Sequence, residues 1–354
     1  MTAVVSFQKA LKEAEQYDKK FLLLGNGFSI ACVPTIFTYK SLFEQADFSK
    51  MPEVLEVFRR LNTEDFEEVI HALENTSLIL PAYESTPETV AKMKEHAAKI
   101  KEILVETIAE NHPARPGDVP DAKYLACVEF LNHFLNENGC VYSVNYDLLL
   151  YWTLMFGLDH DLLLVEPNDG FGKNFLDDEP GVEDYVVWEG DTNAGGQNIH
   201  YLHGALHVFD TDTEVEKFTW SNTGVPLIDQ IREALNNNRY PLFVAEGESS
   251  KKLTKIKHSA YLYHSYKSFD RRMKQGAKAK ACLFTYGFSF SANDAHITRK
   301  ILSGKCRHLF VGLYGDPESD SNKRIVAAVE ELQGRRMTQL KVTYYDAASA
   351  KVWG

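Results

Sequence analysis

The chain reads as an α/β protein on a Rossmann-like, doubly wound, mainly parallel sheet with a helical insertion, and three observations predict it. Four short apolar runs end in glycine or a polar cluster: residues 21–29 (FLLLGNGFS), 141–147 (VYSVNYD), 199–204 (IHYLHG) and 281–289 (ACLFTYGFS). Strands of a parallel sheet are covered on both faces and read as near-continuous apolar text. Helical patterns separate the later runs, and strands alternating with helices imply parallel pairing. Finally, ligand crevices in open α/β sheets lie outside the carboxyl ends of the strands, so Gly25, Asn145, His203 and Gly287 are expected to face one crevice.

Taken in order, residues 5–17 carry helical spacing through Phe7, Leu11 and Ala14, and Lys19-Lys20 leads into the first apolar run. Over 31–135, Leu55, Phe58, Leu61, Phe66, Val69, Ile70 and Leu73, then Ile100, Ile103, Leu104 and Ile108, recur at helical intervals with no strand text between them. This predicts a helical insertion between the first two strands. The second strand ends in Asn145-Tyr146-Asp147, and 148–156 continues as a helix. Residues 159–197, rich in Gly, Asp and Asn, form an irregular excursion holding Trp188 and Gly195-Gly196. A second insertion spans 205–280, with a hairpin-like stretch at 205–220, a helix near 228–235, the apolar Leu242-Phe243-Val244 and a helix through 261–273. Strands at 281–286, 308–313 and 340–345, with helices at 296–302 and 322–332 between them, complete one domain over 1–354.

Composition narrows the function. At 354 residues and 44% hydrophobic content the chain can bury a large core, and its net charge of −12 speaks against a phosphate-backbone binder, which needs clustered Lys and Arg. Lys251-Lys252 and Arg271-Arg272 are short basic runs of the solvated kind. Charges interrupt every apolar stretch of the first twenty residues and no window reaches membrane-spanning length, which places the protein in the cytoplasm, without nucleic-acid or membrane partners. Cys32, Cys127, Cys140, Cys282 and Cys306 are odd in number and free of any C-x-x-C pair, arguing against a disulfide framework and a structural zinc.

Each motif has a bland reading beside the functional one. Gly25-Asn26-Gly27-Phe28-Ser29 suits a loop whose N–H groups approach a diphosphate too closely for a Cβ, but Ile30 stands where the G-x-G-x-x-G fingerprint has its last glycine, and a tight turn serves equally. Asn145 can hold a water at a strand end, while Asp147 and Asp294 can cap helices. His203 can be a satisfied structural histidine. His200, His203 and His207 could ligate a metal, but they share no helical face and no H-E-x-x-H is present, so no metal is expected. Gly287-Phe288-Ser289 is a second glycine turn, followed by Asn293-Asp294-Ala295-His296, and Glu246-Gly247 is read as a pocket edge.

Together the four elements resemble the sirtuin-like superfamily. Its Gly-x-Gly-x-Ser loop is matched by Gly25 to Ser29, its Asn-x-Asp element by Asn145-Tyr146-Asp147, its His-Gly by His203-Gly204 and its later Gly-x-Ser by Gly287-Phe288-Ser289, in the same order. The Pro-Asp-Phe-Arg stretch of classical sirtuins is replaced by Pro34-Thr35-Ile36-Phe37, and their zinc module with two C-x-x-C pairs is missing. What remains is similar to the bacterial sirtuin-like branch that hydrolyses NAD, including antiphage-defence effectors, through Asn145-Tyr146-Asp147, Asp65-Phe66-Glu67 and Asp294-x-His296, and the Tyr-Asp strand with Val352-Trp353-Gly354 is similar to uncharacterised bacterial proteins. The resemblance implies NAD as ligand or substrate, no zinc, and hydrolysis to nicotinamide and ADP-ribose. Asn145 would orient the water and His203 would assist at the ribose. Gly25, Asn26, Gly27, Phe28 and Ser29 would hold the diphosphate, Gly287, Phe288 and Ser289 the adenosine side, with Asp147 and Asp294 contacting ribose or ordering the loop. A non-catalytic NAD or ADP-ribose sensor, or a deacylase or ADP-ribosyltransferase, is the alternative, and a homo-oligomer or a regulatory protein partner is left open.

Overall fold

The computed structural model describes residues 3–83, 86–136, 139–172, 185–190, 196–211, 213–219, 224–275 and 280–354. Gly195, most of the excursion at 173–195 and the end of the expected hairpin at 220 lie outside the described residues. Ten strands are present among them: β1 (Val4–Val5), β2 (Lys19–Leu24), β3 (Cys140–Ser143), β4 (Tyr185–Val187), β5 (Ile199–Tyr201), β6 (Val208–Asp210), β7 (Val215–Phe218), β8 (Ala281–Tyr286), β9 (His308–Leu313) and β10 (Lys341–Asp346). Seven form one sheet in the order β1-β10-β9-β8-β2-β3-β5, and every pairing in it is parallel.

Starting from β2, the chain adds β3 and β5 on one side and then β8, β9 and β10 on the other. This is the 3-2-1-4-5-6 order of dinucleotide-binding α/β sheets, with its switch point between β2 and β8. All residues of β8 and β9 are buried, and Phe21–Leu24 of β2 likewise, because helices cover both faces. Register sets the site: Leu24 pairs with both Tyr286 and Ser143, and Ser143 pairs with Tyr201. Four adjacent strands therefore end at one level, as their apolar text predicted.

The first expected helix begins later than its spacing suggested. Val4–Val5 pairs at the sheet edge with β10, and the helix runs Phe7–Ala14, with the Ser6 hydroxyl accepting from Lys9 N. Between β2 and β3 the described residues are helical or loop, including Pro52–Leu61, Phe66–Ile79, Pro87–Asn111 and Asp121–Asn132. Phe43, Phe48, Phe58 and Phe66 form an aromatic cluster there, with centroids 4.8 to 5.9 Å apart. Asp65 caps Phe66–Ile79 by accepting from the N–H groups of Glu67 and Glu68, which fixes Glu67 in its first turn. Between β5 and β8, β6 and β7 form the expected hairpin, extended by β4 into an antiparallel sheet. Helix Ser249–His258 was not expected, since its lysine-rich text hides a narrow buried face of Ser249, Lys252 and Ile256. No helix among the described residues is long and apolar enough to cross a membrane.

Candidate functional site

At the switch point the loop after β2 meets the loop after β8, main chain to main chain. Gly25 N donates to Tyr286 O and Gly27 N to Gly287 O, each at 3.0 Å. A Cβ on Gly25 would stand 2.5 Å from Gly287 O, and one on Gly27 2.5 Å from Gly287 Cα. Gly287 itself has φ 65°, in the left-handed region that favours glycine. These glycines therefore have a structural reason beside the expected one of room for a diphosphate: contact between the two loops already demands them.

Above this junction lies a cavity of about 940 Å³, within the range of small-molecule sites. Gly25, Asn26, Gly27, Asn145, Asp147, His203, Gly287, Phe288, Ser289 and Asp294 all line it. Phe28 and Ser29 do not. The Phe28 ring packs 4.9 Å from that of Trp353, whose indole N–H donates to Phe28 O at 2.8 Å. Asn26 is tied by its side chain to Phe37 O. Glu246 and Gly247 also stay off the cavity: the Glu246 carboxylate faces Lys101 and Lys255, and Gly247 lets the backbone pass helix Phe66–Ile79.

Ser29 works from behind. Its hydroxyl donates to Asp147 Oδ2 and accepts from Asn145 Nδ2 at 2.9 Å, while Asp147 Oδ1 accepts from Leu149 N at the start of helix Leu149–Asp159. The Asn145 amide is thereby fixed with its nitrogen toward Ser29, and its Oδ1, in a residue only 6% exposed, has no protein partner. Burial raises the Asp147 carboxyl, an effect that the bonds from Ser29 and Leu149 oppose. Both Asp147 oxygens are used inside the protein, so this residue orders the turn, as the capping reading anticipated in part.

His203 leads to groups that the motifs did not connect. Its Nε2 lies 2.9 Å from Nε2 of His296, whose Nδ1 lies 3.1 Å from Ser249 Oγ. Burial, with the charge of Lys252 and the neighbouring His296, holds His203 well below the ordinary histidine value, and burial brings His296 down to about 4. Both rings are neutral near pH 7, and one donates to the other. Asp294 sits at the N-cap of helix Ala295–Ser303 but makes no capping bond; Ser249 Oγ accepts from His296 N instead, and Asp294 Oδ1 faces Lys252 Nζ at 3.2 Å. Lys252 also contacts both oxygens of Glu67 at 2.8 Å. The solvated reading of Lys252 is therefore corrected, for the residue is 1% exposed.

Burial works against the Lys252 ammonium, but Glu67 and Asp294 outweigh it and raise its pKa. Burial raises the Glu67 carboxyl, Lys252 opposes, and Asp294 and Asp65 add to the rise. The two directions agree once the charges are counted: a single ammonium cannot balance two carboxylates, so it stays charged and the Glu67 carboxyl is raised for want of a second cation.

The histidines weighed as metal ligands do not converge. His200 is held between Ser265 and Ser268, and His207 packs on Tyr151. A different set, His203, Asp294 and His296, offers three ligand atoms within 4.8 Å of one another, although the Lys252 ammonium already faces Asp294. The spacing of His200, His203 and His207 concealed this trio because Asp294 and His296 come from the other side of the switch point.

The strand order defines a Rossmann-like α/β protein with a cavity at its switch point, at the carboxyl ends of its strands. The chain belongs to the family described as Domain of unknown function (DUF4917), whose profile matches residues 22–353. The crystal structure of a Sir2 homolog–NAD complex is similar over 94% of this chain and 96% of that one, at 13% identity and a TM-score of 0.37. No curated protein matches.

Proposed function

We propose that the protein is a sirtuin-like NAD glycohydrolase, one domain with insertions at 31–135 and 205–280, that releases nicotinamide and ADP-ribose. The observation that carries this reading is the Asn145 Oδ1 atom, a buried acceptor without a protein partner, locked in orientation by Ser29 and Asp147 beside His203 in a cavity at the switch point. Nicotinamide leaves NAD as a neutral molecule, so the protein must chiefly hold the ribose and a water in a reactive pose and stabilise an oxocarbenium-like transition state. Asn145 Oδ1 accepts from that water. His203, neutral near pH 7, meets the ribose hydroxyls and takes the proton that the water loses. Gly25, Asn26 and Gly27 form the floor under the diphosphate, with Phe28 and Ser29 supporting it from behind. Gly287, Phe288 and Ser289 bound the adenosine side.

A second reading, a sensor that binds NAD or ADP-ribose without turnover, is favoured by one observation: His203 Nε2 already faces His296. Incubating purified protein with NAD and separating nicotinamide, ADP-ribose and cyclic ADP-ribose tests both. The wild type is expected to release nicotinamide, and Asn145→Ala to lose about a hundred- to thousandfold in rate, roughly 3 to 4 kcal/mol of transition-state stabilisation. Tight NAD binding with no turnover would leave the sensor; neither binding nor turnover would end the NAD reading.

A further inference from the structure

Two carboxylates and one ammonium make an unbalanced group in the cavity wall. Lys252 holds both oxygens of Glu67 and one of Asp294, and Asn293 Nδ2 adds a contact of 3.4 Å to Glu67 Oε2. The side chains of Glu67 and Asp294 are 14% and 15% exposed, and both line the cavity. A third carboxylate, Asp65, lines it as well while capping the helix that carries Glu67. The neighbouring His203 and His296 are neutral and offset none of this charge. Burying a net negative charge is costly unless a cation meets it.

The fold does not ask for that surplus. Asp294 forgoes the capping bond its position offers, and Glu67 comes from the helical insertion rather than from the sheet. A separate observation points to a ligand in the same cavity, the unpartnered Oδ1 of the buried Asn145.

We propose that Glu67, Asp294 and Lys252 form a cation-selective end of the pocket that receives the pyridinium ring of oxidised nicotinamide dinucleotide and excludes the neutral ring of the reduced form. This rests on the NAD reading above. Lys252 fixes the two carboxylates in position and limits the surplus, and the ring supplies the missing positive charge. During cleavage the C1′–N bond breaks with its electron pair going to the ring nitrogen. Nicotinamide leaves neutral, and the positive charge passes to C1′ and the ring oxygen of the ribose. Water then adds its oxygen to C1′ and gives up one proton. The same carboxylates face the positive charge before and after it moves, so Glu67 is a specificity-determining residue first and an electrostatic aid second.

The test measures binding without turnover. Calorimetry compares three probes: a carbocyclic NAD analogue that keeps the pyridinium charge but cannot be cleaved, NADH, and ADP-ribose. Wild-type protein is expected to bind the charged analogue at least about tenfold more tightly than NADH. Glu67→Gln, which keeps the size and a contact to Lys252, should weaken the analogue about ten- to a hundredfold while NADH and ADP-ribose change by less than about threefold. Asp294→Asn serves as the second variant should the first fail to fold, with the same pattern expected. Equal losses for all three probes would mean a structural role and overturn the proposal. Wild-type protein binding all three alike would overturn it while leaving the NAD reading intact, whereas binding none would remove the NAD reading itself. One equivalent of zinc per purified chain would also overturn it, because the metal would then supply the missing charge.

Discussion

Acidification should loosen this protein through His112, whose surroundings accept only the neutral ring. Nδ1–H donates to Pro113 O at 3.0 Å, and Nε2 accepts from Leu148 N at 3.1 Å. A proton on Nε2 would face that amide hydrogen. The ring is 3% exposed and packs edge-on against Trp152 at 4.7 Å and Phe37 at 5.8 Å. Burial brings its pKa down from 6.5 to about 4. The unfolded chain takes up a proton near 6.5 and the folded chain only near 4, so the stability due to the neutral ring is complete above pH 6.5 and is lost as pH falls through that window. At about 1.4 kcal/mol per pH unit the loss reaches roughly 3 kcal/mol at pH 4. His296 and His308, also brought down to about 4, act in the same sense, whereas Asp65, Glu67 and Asp147, with raised values, act against it. The comparison that isolates His112 is urea unfolding of wild type and His112→Gln between pH 7.5 and 4, since an amide can donate to Pro113 and accept from Leu148 without titrating. The wild-type curve should fall more steeply by about one proton over the window. Parallel curves would refute the assignment. His112 anchors the turn carrying Asn145 and Asp147, so activity is expected to fail at a higher pH than global unfolding.

Three further outcomes follow from the geometry. Gly27→Val should lower the melting temperature strongly, because its side chain meets the Gly287 backbone; lost NAD affinity at an unchanged melting temperature would instead favour the diphosphate explanation. Ser29→Ala should cost about 1 to 3 kcal/mol of stability, since Asp147 loses a donor, and should reduce NAD turnover more than NAD binding as the Asn145 amide is released; calorimetry beside rate measurements separates the two. Trp353→Phe removes the bond to Phe28 O and should cost about 1 kcal/mol in denaturant unfolding, with turnover nearly intact.

The sheet was legible because a strand covered on both faces has no polar side to interrupt its apolar text, and Gly25, Asn145, His203 and Gly287 mark where each cover ends. Their shared level is a property of parallel register that the four runs imply but cannot state. The wall of the cavity was harder to read. Glu67 stood out only as part of a short acidic motif, and Lys252 only as one of two adjacent lysines. The spacing of Ser249, Lys252 and Ile256 along one helical face was the available signal, masked because lysine at a buried position is rare. The glycine turns were located correctly, but their mutual contact was not legible, since nothing in a single loop reveals that its neighbour across the switch point needs the same space.

That mutual contact of Gly25, Gly27 and Gly287 divides the protein's freedom to change. A floor made of touching main chains has no side chains to vary, and any substitution there is answered by the whole sheet. The walls come from elsewhere: Phe37, Tyr39, Asp65 and Glu67 before β3, and Lys252, Phe290 and Asp294 around β8. A descendant of this chain could take a different ligand by rewriting those stretches alone, while the scaffold beneath kept one shape.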